Sequence, residues 1–351
     1  MKKVRIAQIG VTHEHACSAI TSLKIRQDIF DIAGYVDDRE ELTLHPAYMN
    51  PANLDPYDGV KKITLEDVFN DPELDAVAVE TGNYDLVPTA MMFMERGIPV
   101  YMDKPGGNDL AEFKKLLAGF KAKNLPFEMG YMFRVNPMFD FCQKAIADKL
   151  IGEVSAVEVD MNHCYGGEPY QEYMGKLKGG IMYNLGCHLI DSIVSFFGCP
   201  EKVTPILRSA PGYPPEIKNN CTAILEYPNN IVTLHACSKV VENTVGRRMR
   251  IMGDRGSITF TPLERFDGVD VELELRLAED RGTFPAGCHT IRFNQGRDRH
   301  QKHLEAFARA VRGEAPTLRT REHDLLVQEV LLAASGYENI IPGNVKGNMK
   351  K

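Results

Sequence analysis

Asp103-Lys104-Pro105 follows a short apolar run, Ile98 to Tyr101, and is the first place where a side chain is set up for proton chemistry. Proline bars the preceding lysine from helical geometry. At the C-terminal end of a parallel strand this aims the ammonium across the crevice where open α/β sheets bind ligands. A lysine desolvated there has a lowered pKa and can trade a proton with a substrate hydroxyl. The tripeptide alone also describes an exposed loop lysine.

A second candidate lies in Gly179-Gly180-Ile181-Met182-Tyr183-Asn184-Leu185-Gly186-Cys187-His188-Leu189-Ile190-Asp191. On a helix Asn184, His188 and Asp191 share one face, through spacings of four and three. A histidine with polar neighbours on an otherwise apolar helix invites acid/base work; a satisfied core histidine reads the same way. Upstream, Gly130-Tyr131-Met132-Phe133-Arg134-Val135-Asn136-Pro137 marks a crossover, where Arg134 either holds a polar substrate beside Tyr131 or ties the domains together. His163 opens a loop to Lys178 expected to shape the substrate pocket, with Tyr165, Tyr170 and Tyr173 available for stacking or hydrogen bonding.

The third candidate is the turn after the first apolar run. A dinucleotide fold needs a glycine there, followed by helix N–H groups that face the pyrophosphate. Of the G-x-G-x-x-G pattern only Gly10 remains, with Thr12 and His15 in the other two places and His13 between them. His13 and His15 also fit exposed turn residues. Asp37, with Asp38 beside it, ends the second apolar run, where a carboxylate accepts ribose hydroxyls and repels a 2′-phosphate. That favours NAD over NADP, although Arg39 nearby is the kind of group that holds NADP. Thr81, Asn83 and Asp103, at the ends of later strands, complete the expected cofactor contacts.

The elements that position these residues alternate. Val4 to Ile9, Ile32 to Val36, Asp75 to Val79, Ile98 to Tyr101 and Pro126 to Met129 read as short strands. Helical patterns at His15–Ile25, Thr64–Phe69, Pro88–Arg96 and Asp109–Lys123 intervene, which predicts a doubly wound parallel Rossmann sheet. The stretch from Leu42 to Gly59, with three prolines, reads as a surface excursion. After Tyr131 a helix from Pro137 to Lys149 leads into strand-like runs at 153–162, 202–209, 221–227, 230–238, 247–253 and 256–260. Turns at Tyr227–Asn230 and Gly253–Gly256 make this a large, mainly antiparallel open sheet. Helices at Gly180–Phe197, His300–Val311 and Glu322–Tyr337 complete an α+β domain. The expected division is a dinucleotide-binding domain over 1–130 and a substrate-binding, oligomerising domain over 131–351, packed around a cleft.

Composition narrows the function classes. The 351 residues exceed a usual single domain, and 44% hydrophobic with 25% charged residues describes an ordinary globular chain. A net charge of −7 with scattered basic residues excludes nucleic acid as a partner. No segment approaches a membrane span, and the N-terminal apolar run is too short and polar-flanked for a signal peptide. Eight cysteines without CxxC spacing suit a reducing cytoplasm. No metal site is expected, since the side chains of His163-Cys164 and Cys187-His188 diverge or crowd.

Taken in order, these stretches resemble the glucose–fructose oxidoreductase / inositol dehydrogenase (Gfo/Idh/MocA) family from Val4 to about Gly336. The carriers are Lys104-Pro105, the Tyr131…Arg134…Pro137 crossover, the Gly179-Gly180…Gly186-Cys187-His188-Leu189-Ile190-Asp191 helix and the turn Ile251–Ser257. The resemblance implies an NAD- or NADP-dependent enzyme acting on a sugar, polyol or related alcohol, and a homodimer or homotetramer joined through the C-terminal sheet. It implies His188 as general base, Lys104 as oxyanion stabiliser or proton relay, and Arg134, Asn184, Tyr131 and His163 toward the substrate.

The chain departs from the family in its eroded glycine turn, in Thr81-Gly82-Asn83 for the usual Thr-Pro, in Leu86 where a histidine is common, in Asp103 for glutamate, and in Asn184 for aspartate. An amide orients His188 or holds a hydroxyl but takes no proton. Two alternatives therefore stand: an NAD-dependent glycosidase or lyase working by transient oxidation, and a non-catalytic dinucleotide- or sugar-binding regulator.

Overall fold

A computed structural model describes residues 2–46, 53–164, 167–240 and 246–343. Two compact units emerge, Met1–Met132 with Arg299–Leu325, and Phe133–Asp298 with Leu326–Lys351.

The first unit holds five parallel strands: β1 (Val4–Ile9), β2 (Phe30–Val36), β3 (Ala76–Val79), β4 (Val100–Met102) and β5 (Phe127–Met129), in the order β2-β1-β3-β4-β5. β3 is buried throughout, as strands covered on both faces must be. Helices α1 (Ala16–Ile25), α2 (Asp38–Glu41), α3 (Leu65–Phe69), α4 (Leu86–Glu95) and α5 (Leu110–Ala122) connect the strands. Their starts are written locally. Thr64 and Asp67 form a reciprocal capping box on α3, and Asp109 accepts two backbone N–H groups at α5. Because β2 and β3 lie on opposite sides of β1, the chain reverses between β1 and β3, where doubly wound sheets leave their ligand crevice. In the Leu42–Gly59 excursion Tyr57 is buried and its hydroxyl accepts from Gln8 Nε2 at 2.6 Å.

The second unit carries an eight-stranded sheet of β6 (Val154–Met161), β7 (Lys202–Arg208), β8 (Asn220–Glu226), β9 (Ile231–Cys237), β10 (Arg247–Gly253), β11 (Gly256–Phe260), β12 (Val271–Leu277) and β13 (Gly287–Phe293). The order is β13-β12-β11-β10-β6-β9-β8-β7, antiparallel except for the β6–β9 pair. Helices α6 (Pro137–Ala147), α7 (Glu168–Lys176) and α8 (Cys187–Phe197) belong to this unit. Near the C-terminus come α9 (Gln301–Val311) and α10 (Arg321–Ala334).

Three differences from the sequence expectation have physical causes. Residues 299–325 belong to the first unit rather than to the second. Leu304, Phe307 and Ala308 of α9 enter the β1–β2 core, and Glu128 on β5 accepts from both His303 Nε2 (3.2 Å) and Leu318 N–H (2.8 Å). Strands β12 and β13 extend the sheet beyond residue 260; β12 alternates buried apolar and exposed charged residues, a period-two strand pattern. The expected loop between His163 and Lys178 contains helix α7, with Pro169 in its first turn.

Candidate active site

The dinucleotide-type turn is braced from both sides. Gly10 has φ +102°, and a Cβ there would lie 2.6 Å from the Glu80 carbonyl oxygen, so only glycine lets β1 pass this close to the end of β3. Val11 N–H donates to Asp38 Oδ1 (2.9 Å), Thr12 Oγ1 donates to Asp38 Oδ2, and His13 N–H donates to the Glu80 carbonyl (3.0 Å). Asp38 is thus a brace of the turn, and burial pushes its carboxyl up against those hydrogen bonds. Asp37, at the end of β2, accepts Arg39 Nε at 2.9 Å and Nη2 at 2.7 Å. The hydrogen bonds from Arg39 hold its carboxyl below the usual aspartate range despite burial.

Beneath the turn lies a buried charged cluster. Lys104 ends β4 with its side chain 1% exposed and its ammonium donating to Glu14 Oε1 at 2.8 Å. Its peptide bond to Pro105 is cis. Burial would push Glu14 up, but Lys104, helped by His15 and His13, holds it well below the ordinary glutamate range. His13 and His15 are buried, with His13 Nδ1 3.4 Å and His15 Nδ1 3.0 Å from Asp103 Oδ2. The alternative of exposed turn residues is therefore overturned for both. Burial lowers both imidazoles, His15 to about 3 with Arg299 assisting. For Asp103 burial is outweighed by the two imidazoles and the hydrogen bond from His15, and its carboxyl stays well below the usual range. Glu80, fully buried at the end of β3, is pushed well up by burial and by Asp103.

In the second unit a π-helical turn, Met182–Gly186, runs directly into α8. Asn184 lies in that turn and His188 at the start of α8, both buried. Asn184 Nδ2 donates to the Tyr170 hydroxyl at 3.1 Å, and that hydroxyl is 3.4 Å from His163 Nε2, so three candidates for substrate contact form one chain. π turns recur at functional sites, because the inserted residue re-aims neighbouring side chains. Arg134 is buried and donates from Nε to Asp191 Oδ1 (3.0 Å) and Oδ2 (3.2 Å), and from Nη2 to Oδ1 (2.6 Å). Its guanidinium is committed to the helix that carries His188. Phe133 meets the His188 ring edge-on at 6.0 Å between centroids.

Within the first unit the sequence candidates Gly10, Thr12, His13, Asp38, Asp103 and Lys104 thus gather around the strand ends. Thr81 and Asn83 are buried just beyond β3 and Tyr131 just beyond β5, while Asp37 is held by Arg39. Sequence reasoning missed Glu14 and Glu80. A carboxylate directly after the apolar strand Ala76–Val79 was a legible signal for Glu80; Glu14 had none beyond its neighbours. Tyr165 lies outside the described residues.

The turn fits a dinucleotide. Among the described residues the Thr12 N–H donates to no acceptor, and the buried Thr81 hydroxyl has no hydrogen-bond partner. Both are at the β1–β3 strand ends where phosphate and ribose oxygens need donors. A carboxylate offers about four lone-pair positions, so Asp37 keeps acceptor capacity beside Arg39. Gly10, Thr12, Asp37 and Thr81 would hold the group.

Comparisons with known proteins agree. Residues 4–131 match the profile of an oxidoreductase family with an NAD-binding Rossmann fold, and residues 139–259 match the GFO/IDH/MocA C-terminal domain. The uncharacterized oxidoreductase YhhX of Escherichia coli is 33% identical over 145 residues, 41% of each chain, so the match spans less than half of that relative. Trans-1,2-dihydrobenzene-1,2-diol dehydrogenase of Oryctolagus cuniculus is 21% identical over 75% of this chain and 79% of its own. An Agrobacterium radiobacter oxidoreductase in complex with NAD+, L-tartaric acid and magnesium shares the fold, with a TM-score of 0.75 at 15% identity over 96% of both chains. Among the described residues no helix is long and apolar enough to cross a membrane. With the two profiles together spanning most of the chain, the protein belongs to the Gfo/Idh/MocA family of NAD-binding oxidoreductases.

Proposed function

We propose that the protein moves a hydride between nicotinamide and a C–OH carbon of a sugar, polyol or related alcohol. His188 is the general base, and Lys104 stabilises the developing oxyanion or relays the proton. The observation that carries this reading is the Lys104 ammonium, wholly buried at the end of β4 and hydrogen-bonded to Glu14. A lysine removed from water in this way is a fixed cation at the ligand-binding end of a parallel sheet, not a solvated loop residue. The dinucleotide supplies the hydride acceptor or donor, and the protein supplies geometry and the proton path. As the C–H bond is lost, the hydroxyl proton passes to His188, while Lys104 meets the charge growing on oxygen. Asn184, Tyr170 and His163 serve the substrate hydroxyls. Arg134 acts through Asp191 as a positioning residue. Gly10, Thr12, Asp37, Thr81 and Asn83 face the cofactor, with His13, Asp38 and Asp103 bracing them.

Copies of the chain associate through the open face of the eight-stranded sheet, an association that light scattering would read as a dimer or tetramer. The test of function is a screen of NAD and NADP against polyols, aldoses, hydroxy acids and vicinal diols. It follows reduced nicotinamide by absorbance and cofactor binding by thermal shift. A shift with either dinucleotide, and turnover lost in His188→Ala with that shift retained, is the expected result. No shift with either dinucleotide would overturn the reading.

A further inference from the structure

Lys104 and Glu14 form an ion pair whose two ends differ in exposure. The Lys104 side chain is 1% exposed and that of Glu14 17%, with 2.8 Å between Nζ and Oε1. From this pair we infer that Glu14 is a positioning residue that keeps Lys104 a permanently charged ammonium, so that Lys104 is a fixed partner for the oxyanion and not a carrier of protons. This role rests on the redox reading above and selects one of the two tasks named there for Lys104.

The backbone places Glu14. His13 N–H donates to the Glu80 carbonyl (3.0 Å), Ala16 N–H to the His13 carbonyl (3.1 Å) and Ala19 N–H to the His15 carbonyl (3.0 Å). Glu14 therefore sits in a closed turn between the end of β3 and the start of α1. The His15 ring braces the side chain, with Nε2 3.7 Å from Glu14 Oε1 and Nδ1 3.0 Å from Asp103 Oδ2. It thus spans from Glu14 to the residue just before Lys104.

Burial and pairing act on a lysine in opposite senses. A buried lysine left without an anion loses its proton readily, with documented values of about 5–6, which would suit a proton carrier. A carboxylate in contact favours the charged form of both members of the pair. The effect is visible on Glu14: burial would push its carboxyl up, yet Lys104, helped by His15 and His13, holds it well below the ordinary range. The other groups around the ammonium do not reverse this. Asp103, which burial would push up, is held well down by His13, His15 and Lys104 and adds a second negative charge. Burial and Asp103 push Glu80 up, toward its protonated form. Burial lowers His13 and His15, which favours their uncharged forms, and the charge of Arg299 is felt at His15 and Glu80.

A cation that keeps its proton stabilises a growing alkoxide by charge and hydrogen bonding alone. The hydroxyl proton then goes to His188, and Lys104 ends the step with the three ammonium protons it began with.

The test reads the ammonium directly and needs no turnover. The full chain, with lysine isotope-labelled at Cε and Nζ, is titrated by NMR from about pH 6 to about pH 10, a span that covers buried and ordinary lysines. The Lys104 signal is identified by its loss in Lys104→Met. Wild-type Lys104 should remain an ammonium across the range, whereas in Glu14→Gln it should titrate about 1–3 pH units lower. In steady-state kinetics the ratio of kcat in Glu14→Gln to kcat in wild type should fall about tenfold per pH unit above that lowered midpoint, with KM little changed. Glu14→Asp, which keeps the carboxylate, should restore most of the alkaline activity. A ratio that rises with pH, as a carrier freed to titrate would give, would overturn the inference. So would a wild-type Lys104 that titrates between about pH 6 and 8, or a titration unchanged in Glu14→Gln. The NMR result holds whether or not a dinucleotide binds, so its failure is told apart from failure of the redox reading.

Discussion

Asp191→Ala would leave the Arg134 guanidinium without the carboxylate it now meets through three N–H···O contacts of 2.6–3.2 Å. The side chains are 0% and 2% exposed, so water does not replace the lost partner. Removing one member of such a buried pair costs about 3–5 kcal/mol. At roughly 2–4 °C per kcal/mol for a unit of this size, the second unit's transition should fall by about 6–20 °C. Asp191→Asn keeps one acceptor and should lose less, about 1.5–3 kcal/mol, the value of a hydrogen bond to a charged group. The Arg134→Leu, Asp191→Leu double variant removes both charges and should be more stable than Asp191→Ala, because apolar replacement of a buried pair is close to neutral. The assay is thermal and denaturant unfolding by circular dichroism, paired with steady-state kinetics. Since Asp191 stands one turn after His188 on α8, kcat should fall in Asp191→Asn while the dinucleotide thermal shift stays. A loss below about 1 kcal/mol in Asp191→Ala, or a double variant as unstable as the sum of its single changes, would refute the argument that this pair holds the helix.

Other expectations follow from the first unit. Lys104→Ala should cut kcat by roughly 100- to 10,000-fold, the range for a lost proton-handling group, with dinucleotide affinity within a few-fold in a fluorescence titration. Asp37→Ser should remove the acceptor for ribose hydroxyls and free Arg39, moving the NAD-to-NADP preference toward NADP in paired kcat/KM measurements. Asp37 also bears on acid stability. Its carboxyl is depressed by Arg39, so its contribution is present above the ordinary aspartate pKa and is lost as pH falls through the lower folded value; an acid titration of Asp37→Asn should lack that component. Gly10→Ala places a Cβ 2.6 Å from the Glu80 carbonyl at φ +102°, so insoluble protein, or soluble protein without a dinucleotide shift, is expected.

Much of the molecule was legible from local chemistry. The buried runs Val4–Ile9 and Ala76–Val79, the Thr64–Asp67 capping box and Asn136 before Pro137 predict strands and helix starts because their signals act within a few residues. The parallel sheet and the positions of Gly10, Asp37 and Lys104 at strand ends follow from that alternation. So does the shared helix carrying Asn184, His188 and Asp191, although its π turn was not foreseen. Strand β12 carries the same kind of local signal, an apolar–charged alternation that is plain in the chain.

What tertiary structure alone decided are the pairings that cross long stretches of sequence. Helix α9 joins the first unit because Leu304 and Phe307 complete a core begun by Val4 and Ile6. His13 and His15 leave the solvent only because Asp103, about ninety residues later, comes under their turn. Lys104 likewise becomes a fixed, buried cation through Glu14. Residue type and spacing declare what a side chain is able to do; burial and partner, set by packing between distant segments, determine its charge and what it can reach.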